Sequence, residues 1–248
     1  MTRIPVCREC LHKPAPLVAE HFCSHCRTPF ANAHPLDDQG RCALCKAGVN
    51  GFDAAYTFGS FEGELRDLIH LFKYSGIRTL ARPLGQFLAS ALPRERDFDV
   101  IVPMPLHWSK RWQRGFNQSR LLALEIGRKS NVPVRNLVRR VRATSAQAGL
   151  THAKRRTNVA GAFRAAKRGQ LEGKRVLLID DVMTTGATAS ACALALKRAG
   201  ARQVTFLAVA RVDRRHVVDV SKALDEGKQV PDSFSSGSFL HAKSGSLA

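Results

Sequence analysis

Apolar positions recur along this chain in two rhythms. Between Gly59 and Tyr74, residues Leu65, Leu68, Ile69 and Phe72 fall at i, i+3, i+4 and i+7, which lines one face of a helix. A second helix is predicted from about Pro83 to Leu92. Two short apolar runs rich in β-branched residues read instead as buried strands: Phe98 to Val102, stopped by Pro103, and Val176 to Ile179, stopped by Asp180 and Asp181. Helical stretches follow each of them, Gln118 to Lys129 and Thr188 to Ala199, the second closed by Gly200 as a C-cap. Val204 to Val209 supplies the next strand. Strands alternating with helices predict an α/β fold, a doubly wound parallel sheet whose ligands sit beyond the carboxyl ends of its strands. Past Arg211 the rhythm fades, and from Lys228 the chain is rich in Ser and Gly, which predicts a flexible C-terminal tail over 213–248.

With 248 residues, 44% hydrophobic and 24% charged, the chain can bury a core of ordinary size with a small module beside it, and wholesale disorder is excluded. No apolar run approaches the roughly 18 residues of a membrane span. The opening MTRIPVCREC lacks the apolar stretch of a signal peptide, so a cytoplasmic location is expected. Charge changes the picture more. The net charge is +19, and between His107 and Arg175 there are 18 Lys/Arg against two acids, Glu125 and Glu172. Clustering of that kind predicts an anionic ligand rather than a merely solvated surface.

Six of the seven cysteines form three C-x-x-C pairs, Cys7/Cys10, Cys23/Cys26 and Cys42/Cys45, separated by 12 and then 15 residues. Two residues between thiolates let a tight knuckle turn both sulfurs towards one ion, and two knuckles complete a tetrahedron around zinc. The longer gap favours Cys23, Cys26, Cys42 and Cys45 as a structural zinc ribbon within a module over 1–50. The shorter gap also permits Cys7, Cys10, Cys23 and Cys26, and His12, His21, His25 or His34 could complete a second site with the remaining pair. In a cytoplasmic chain this pattern argues for metal over disulfides. Cys192 lies in an alanine-rich helical stretch and reads as a small core residue.

Candidate chemistry concentrates in VLLIDDVMTTGAT, Val176 to Thr188. Asp180 and Asp181, at the strand end, can accept hydrogen bonds from the vicinal hydroxyls of a sugar. Thr184, Thr185, Gly186, Ala187 and Thr188 offer amides and hydroxyls at a helix N-terminus, a ready anion site for a phosphate. A phosphorylated ribose satisfies both halves. Neither G-x-x-x-x-G-K-[ST] nor a G-x-G-x-x-G after a strand is present, which disfavours an ATPase.

These thirteen residues resemble the 5-phosphoribosyl-1-pyrophosphate motif of the phosphoribosyltransferase superfamily. More narrowly, the chain resembles the ComF family over about Cys7 to Arg211, through FDAAYTFGSFEGELRDLIHLFKY (Phe52 to Tyr74), IVPMPLHWSKRWQRGFNQS (Ile101 to Ser119) and RATSAQAGLTHAKRRTNVAGAF (Arg142 to Phe163). The resemblance implies a type I phosphoribosyltransferase-like domain over 51–212 behind the N-terminal zinc ribbon. Many ComF relatives carry four cysteine pairs in two ribbons, where this chain has three. By the same resemblance Asp180 and Asp181 hold the ribose 2′- and 3′-hydroxyls as the catalytic pair, and Thr184 to Thr188 hold the 5′-phosphate. The turn from Pro103 to Leu106 takes pyrophosphate beside Mg²⁺, with Arg111, Arg114 and the Arg155-Arg156 pair neutralising its oxygens or a further anion. Lys73 could also reach the ligand, or snorkel at the surface. During a transfer, positive charge developing on the sugar would be stabilised by the two carboxylates.

ComF membership further implies a role in DNA uptake for natural transformation, with single-stranded DNA and the uptake machinery as partners. Trp108, Trp112 and Phe116 interleave with Lys110, Arg111 and Arg114 as a base-stacking surface would, although core packing explains the same aromatics. The site equally suits a metabolic phosphoribosyltransferase, a glycosyltransferase acting on a nucleobase or an amine. It also suits a non-catalytic sensor of phosphoribosyl pyrophosphate.

Overall fold

The computed structural model describes residues 5–48, 51–92, 97–106, 112, 114–142, 161–165 and 169–212. Residues Met1–Asp213 form one compact unit. Its N-terminal part holds α1 (Arg8–His12), β1 (His21–Phe22) paired antiparallel with β2 (Pro29–Phe30), and α2 (Ala43–Lys46). The remainder follows as β3 (Ala54–Ser60), α3 (Gly63–Tyr74), a 3-10 turn at Arg78–Leu80, α4 (Ala81–Ala91), β4 (Val100–Pro103) and α5 (Gln118–Ser130). Then come β5 (Val138–Arg140), β6 (Phe163–Ala165), β7 (Arg175–Met183), α6 (Ala187–Arg198) and β8 (Gln203–Arg211).

β3, β8, β7 and β4 lie side by side in that order, all parallel, and β5 and β6 form a separate antiparallel ribbon. Alternate residues of the sheet feed two cores. Ile101, Leu177, Ile179, Leu207 and Val209 pack with the apolar faces of α3, α4 and α5. Val100, Val102, Leu178, Val204 and Phe206 pack with α6, the ribbon and the cysteine-bearing segment. Cover on both faces explains why these strands read as unbroken apolar runs. The segment after α5 can fold back closely on the helix and run beside β4 because Gly127 faces it: a Cβ there would sit 2.7 Å from Val134 Cγ2, and Val134 bridges to Ile101. Among the described residues no helix is long and apolar enough to cross a membrane.

Two expectations change. The second buried strand does not stop at the aspartates: β7 continues through Asp180, Asp181 and Val182 to Met183, because β8 supplies backbone partners as far as the Met183–Arg211 pair. β4 pairs with β7 only as far as Pro103–Ile179, so the acidic positions lie on strand that has lost its neighbour on one side. In addition, β3 is an edge strand within Phe52 to Tyr74, where only a helix was expected. The expected tail over 213–248 lies outside the described residues.

Candidate functional site

Asp180 and Asp181 leave β7 on opposite sides, as neighbours on a strand must. Asp180 Oδ1 accepts hydrogen bonds from Ser119 Oγ at 2.8 Å and from the Asp181 amide at 2.9 Å. Ser119 sits in the first turn of α5, which Asn117 caps by accepting from the Arg120 amide while donating through Nδ2 to the Met104 carbonyl at 3.0 Å. That cap ties the start of α5 to the turn after β4. Asp181 is buried and pairs with Lys73 Nζ at 2.8 Å, the lysine arriving from the last turn of α3. Burial, and then the neighbouring Asp181 charge, pushes Asp180 up to about 7, against the two hydrogen bonds that favour its ionised form.

The turn after β7 enters α6 through Gly186, whose φ of +78° is left-handed and favours glycine. Thr185 Oγ1 accepts from the Ala187 amide at 3.3 Å, shaping the turn. Thr184, Gly186 and Thr188 line a cavity of about 250 Å³ together with Asp180, Asp181 and Lys73. Its other wall is the turn after β4, Met104 to Leu106, with Arg114 and Arg140. Acids that can bind hydroxyls, a helix start that can bind an anion and cations thus face one space.

The sulfur cluster lies in the N-terminal part. The ligand atoms of Cys23, Cys26, Cys42 and Cys45 all fall within 4.8 Å of one another, so the four could hold a metal ion. Amides of Cys26 and Cys42 donate to Cys23 Sγ at 3.5 and 3.3 Å, as knuckle turns do. Hydrogen bonds within the cluster hold Cys23 well below the usual thiol range and push Cys42 and Cys45 above it, so the four crowded sulfurs titrate as one coupled group. Cys7 and Cys10 lie in and beside α1, away from this group, and no second group of three or more such ligands occurs among the described residues. His25 is engaged elsewhere: its Nε2 lies 2.8 Å from the Phe52 carbonyl and its ring stacks on Phe52. Arg211, buried at the end of β8, donates to the Cys26 carbonyl at 2.9 Å and to Thr28 Oγ1 at 2.7 Å, fastening the cluster to the sheet.

Comparison with known proteins assigns the family. Residues 109–234 match the phosphoribosyl transferase domain. Over 77% of its length the chain is 29% identical to Competence protein F of Haemophilus influenzae and 30% identical to DNA utilization protein YhgH of Escherichia coli K12, covering 84% of each. The chain belongs to the competence protein F family. Among solved structures it is similar to the glutamine phosphoribosylpyrophosphate amidotransferase from B. subtilis complexed with ADP and GMP, at 19% identity and a TM-score of 0.38. That match covers 61% of this chain and about a third, 34%, of the enzyme.

Within this competence protein F fold, Asp180, Asp181, Thr184, Gly186 and Thr188 meet at one cavity, while Thr185 and Ala187 shape the turn behind it. Pro103 ends β4 and faces the neighbouring groove, leaving Met104, Pro105 and Leu106 on the cavity. Arg114 lines the cavity with its guanidinium 5.1 Å from the Tyr74 ring centre. Arg111, Arg155, Arg156, Trp108 and Lys110 lie outside the described residues. Phe116 is buried against Phe72 and beneath Arg78, packed as a core residue at the wall of the neighbouring groove, whereas Trp112 is 89% exposed. Cys192 is fully buried, as a core residue. Sequence reasoning missed Ser119 and Arg140, which reach the acids from α5 and β5. The only signal was the run of cations and hydroxyls along those segments.

Proposed function

We propose that the cavity binds 5-phosphoribosyl-1-pyrophosphate with Mg²⁺, and that the protein serves DNA utilization or uptake in the cytoplasm as a binder of single-stranded DNA. One observation carries the first half: two carboxylates and a threonine-glycine helix start face the same 250 Å³ space. Asp180 and Asp181 would accept from the ribose hydroxyls, and Thr184, Gly186 and Thr188 would take the 5′-phosphate. Met104 to Leu106, Arg114 and Arg140 stand where a pyrophosphate group would need cations and amides. Two carboxylates that repel one another in a shared cavity suit a divalent cation, and Mg²⁺, when bound with the ligand, supplies neutralisation of the pyrophosphate. Ser119 and Lys73 hold the two acids in place before any ligand arrives. The four-cysteine cluster is read as a structural zinc site, since four thiols without an open position favour a closed tetrahedron.

The DNA half of the reading rests on the names of the relatives, Competence protein F and DNA utilization protein, together with the net charge of +19. The test is a thermal-shift titration with Mg²⁺ and phosphoribosyl pyrophosphate. The folded protein should be stabilised, and the Asp180→Asn, Asp181→Asn double variant should lose the shift. A shift that survives in that variant removes the ligand assignment. Pyrophosphate release assayed across nucleobases and single-stranded DNA then separates turnover from binding. Elemental analysis should return one zinc per chain.

A further inference from the structure

A second and larger groove, about 1130 Å³, adjoins the acidic cavity and shares Pro105, Leu106 and Arg140 with it. It lies between the start of α5 and the β5–β6 ribbon. Arg78, Arg120, Arg139, Arg140 and Arg164 line it, and among the described residues no Asp or Glu does. Several cations elsewhere are matched, Arg128 with Glu125, Arg175 with Asp99, Lys197 with Asp53 and Lys73 with Asp181, while others, such as Lys129, Arg135, Arg198 and Arg202, stand singly on the surface without a carboxylate partner among the described residues. Among the described residues Arg120, Arg139 and Arg164 pair with no carboxylate, and all three are exposed. Arg78 spends its guanidinium on the Gly115 carbonyl at 3.4 Å and on the Phe116 ring at 5.0 Å.

Like charges gathered on one concave wall repel each other and focus a positive potential, an arrangement that an anion stabilises. The groove exceeds the roughly 300–1,000 Å³ of small-molecule sites, so the anion it fits is extended. Between the arginines the wall is apolar, with Leu106, Leu121 and Leu137, which suits the faces of sugars and bases rather than bare phosphate. Alternating cations and apolar surface along a cleft is what a flexible strand with regularly spaced phosphates requires. A duplex, stiff and with its phosphates on a convex surface, does not enter such a cleft.

We propose that this groove is the track of a single-stranded polynucleotide, with its phosphates on Arg120, Arg139 and Arg164 and its bases against the apolar wall and the guanidinium planes. The proposal rests on the DNA reading above and deepens it by assigning the surface, which includes Arg78, outside the basic segment.

Fluorescence anisotropy with a labelled oligothymidylate of about 12 nucleotides, within the size range of single-strand sites, tests it on the full chain. The Arg120→Ala, Arg139→Ala, Arg164→Ala variant should lose affinity by about 100-fold and flatten the salt dependence by about two to three phosphate contacts. A control, Arg198→Ala with Arg202→Ala at the amino ends of β7 and β8, away from the groove, should change affinity less than about threefold. Arg140 is left intact because it also lines the smaller cavity. A retained melting temperature in the triple variant establishes that it is folded. If that variant binds like the wild type, the groove is wrong while the DNA reading stands. If the wild type binds no oligonucleotide, the DNA reading fails and the groove with it. Equal affinity for a duplex of the same length overturns the single-strand assignment. An oligouridylate arm tells DNA from RNA, and loss of binding to either in the triple variant supports the groove.

Discussion

Asp180 carries a cost that its fold does not need. Burial and the Asp181 charge push it up to about 7, whereas an unfolded aspartate titrates near 3.9. Because the folded state holds the proton more tightly, ionisation destabilises it: the penalty is absent below about pH 4, grows between about pH 4 and 7, and is complete above that. Asp180→Asn keeps an oxygen to accept from Ser119 and the Asp181 amide but removes the charge. It should therefore be more stable than the wild type at pH 8, by about 2–4 kcal/mol, with the gain vanishing near pH 4. Urea unfolding at the two pH values checks this, and a variant less stable at pH 8 would show that the charge is already compensated. Ser119→Ala removes a bond to the ionised form, so it should shift the pH midpoint of Mg²⁺–phosphoribosyl pyrophosphate binding upward from the wild-type value. The acids themselves were legible in the sequence because they interrupt an apolar run. Their partners were not, since Lys73 and Ser119 come from α3 and α5 and meet β7 only through the packing of both helices on the sheet.

At the scale of elements, the cysteine-bearing segment protects an edge. β3 has β8 on one side only, and its other side is met by the Leu17 amide donating to the Phe58 carbonyl and by the Ala55 amide donating to the His25 carbonyl. An uncovered parallel edge would invite strand addition, so the small module has a packing task besides carrying four cysteines that could hold a metal ion. Arg211→Met should test the attachment. It strips donors from the Cys26 carbonyl and Thr28 Oγ1 and should cost about 2–4 kcal/mol by denaturant unfolding. Hydrogen exchange should then speed up at the Ala55 amide while amides in β7 stay protected, and unchanged protection at Ala55 would argue that the edge is held by other contacts. β4, β7 and β8 could be read from sequence because cover on both faces makes their apolar runs continuous. β3 mixes Ala, Gly and Ser with its aromatics, and β5 and β6 are three residues each, too short for any period to register. The length of β7 was set by β8 beside it, a fact about pairing and not about the residues Asp180 and Asp181.

Over the whole molecule, the acidic cavity and the arginine groove meet at Arg140. Burial lowers the proton affinity of its guanidinium and the Asp180 charge raises it again, so Arg140 and Asp180 already attract one another across the boundary. An anion on either side draws on the same cation. A pyrophosphate group in the cavity would therefore lower the potential available to a strand in the groove, and the strand would do the same to the small ligand. Linkage requires both effects to be equal in free energy. The expected coupling is antagonistic and about 5–10-fold, near the lower end of coupling between sites. Strand affinity by anisotropy, with and without saturating Mg²⁺–phosphoribosyl pyrophosphate, gives one factor, and calorimetric affinity for the small ligand, with and without saturating oligothymidylate, gives the other. Arg140→Ala should weaken each ligand singly and bring both factors close to one. If instead the small ligand tightens strand binding, and does so equally in Arg140→Ala, the two sites communicate through a change in the turn after β4 that both line, and the shared cation plays no part in their coupling.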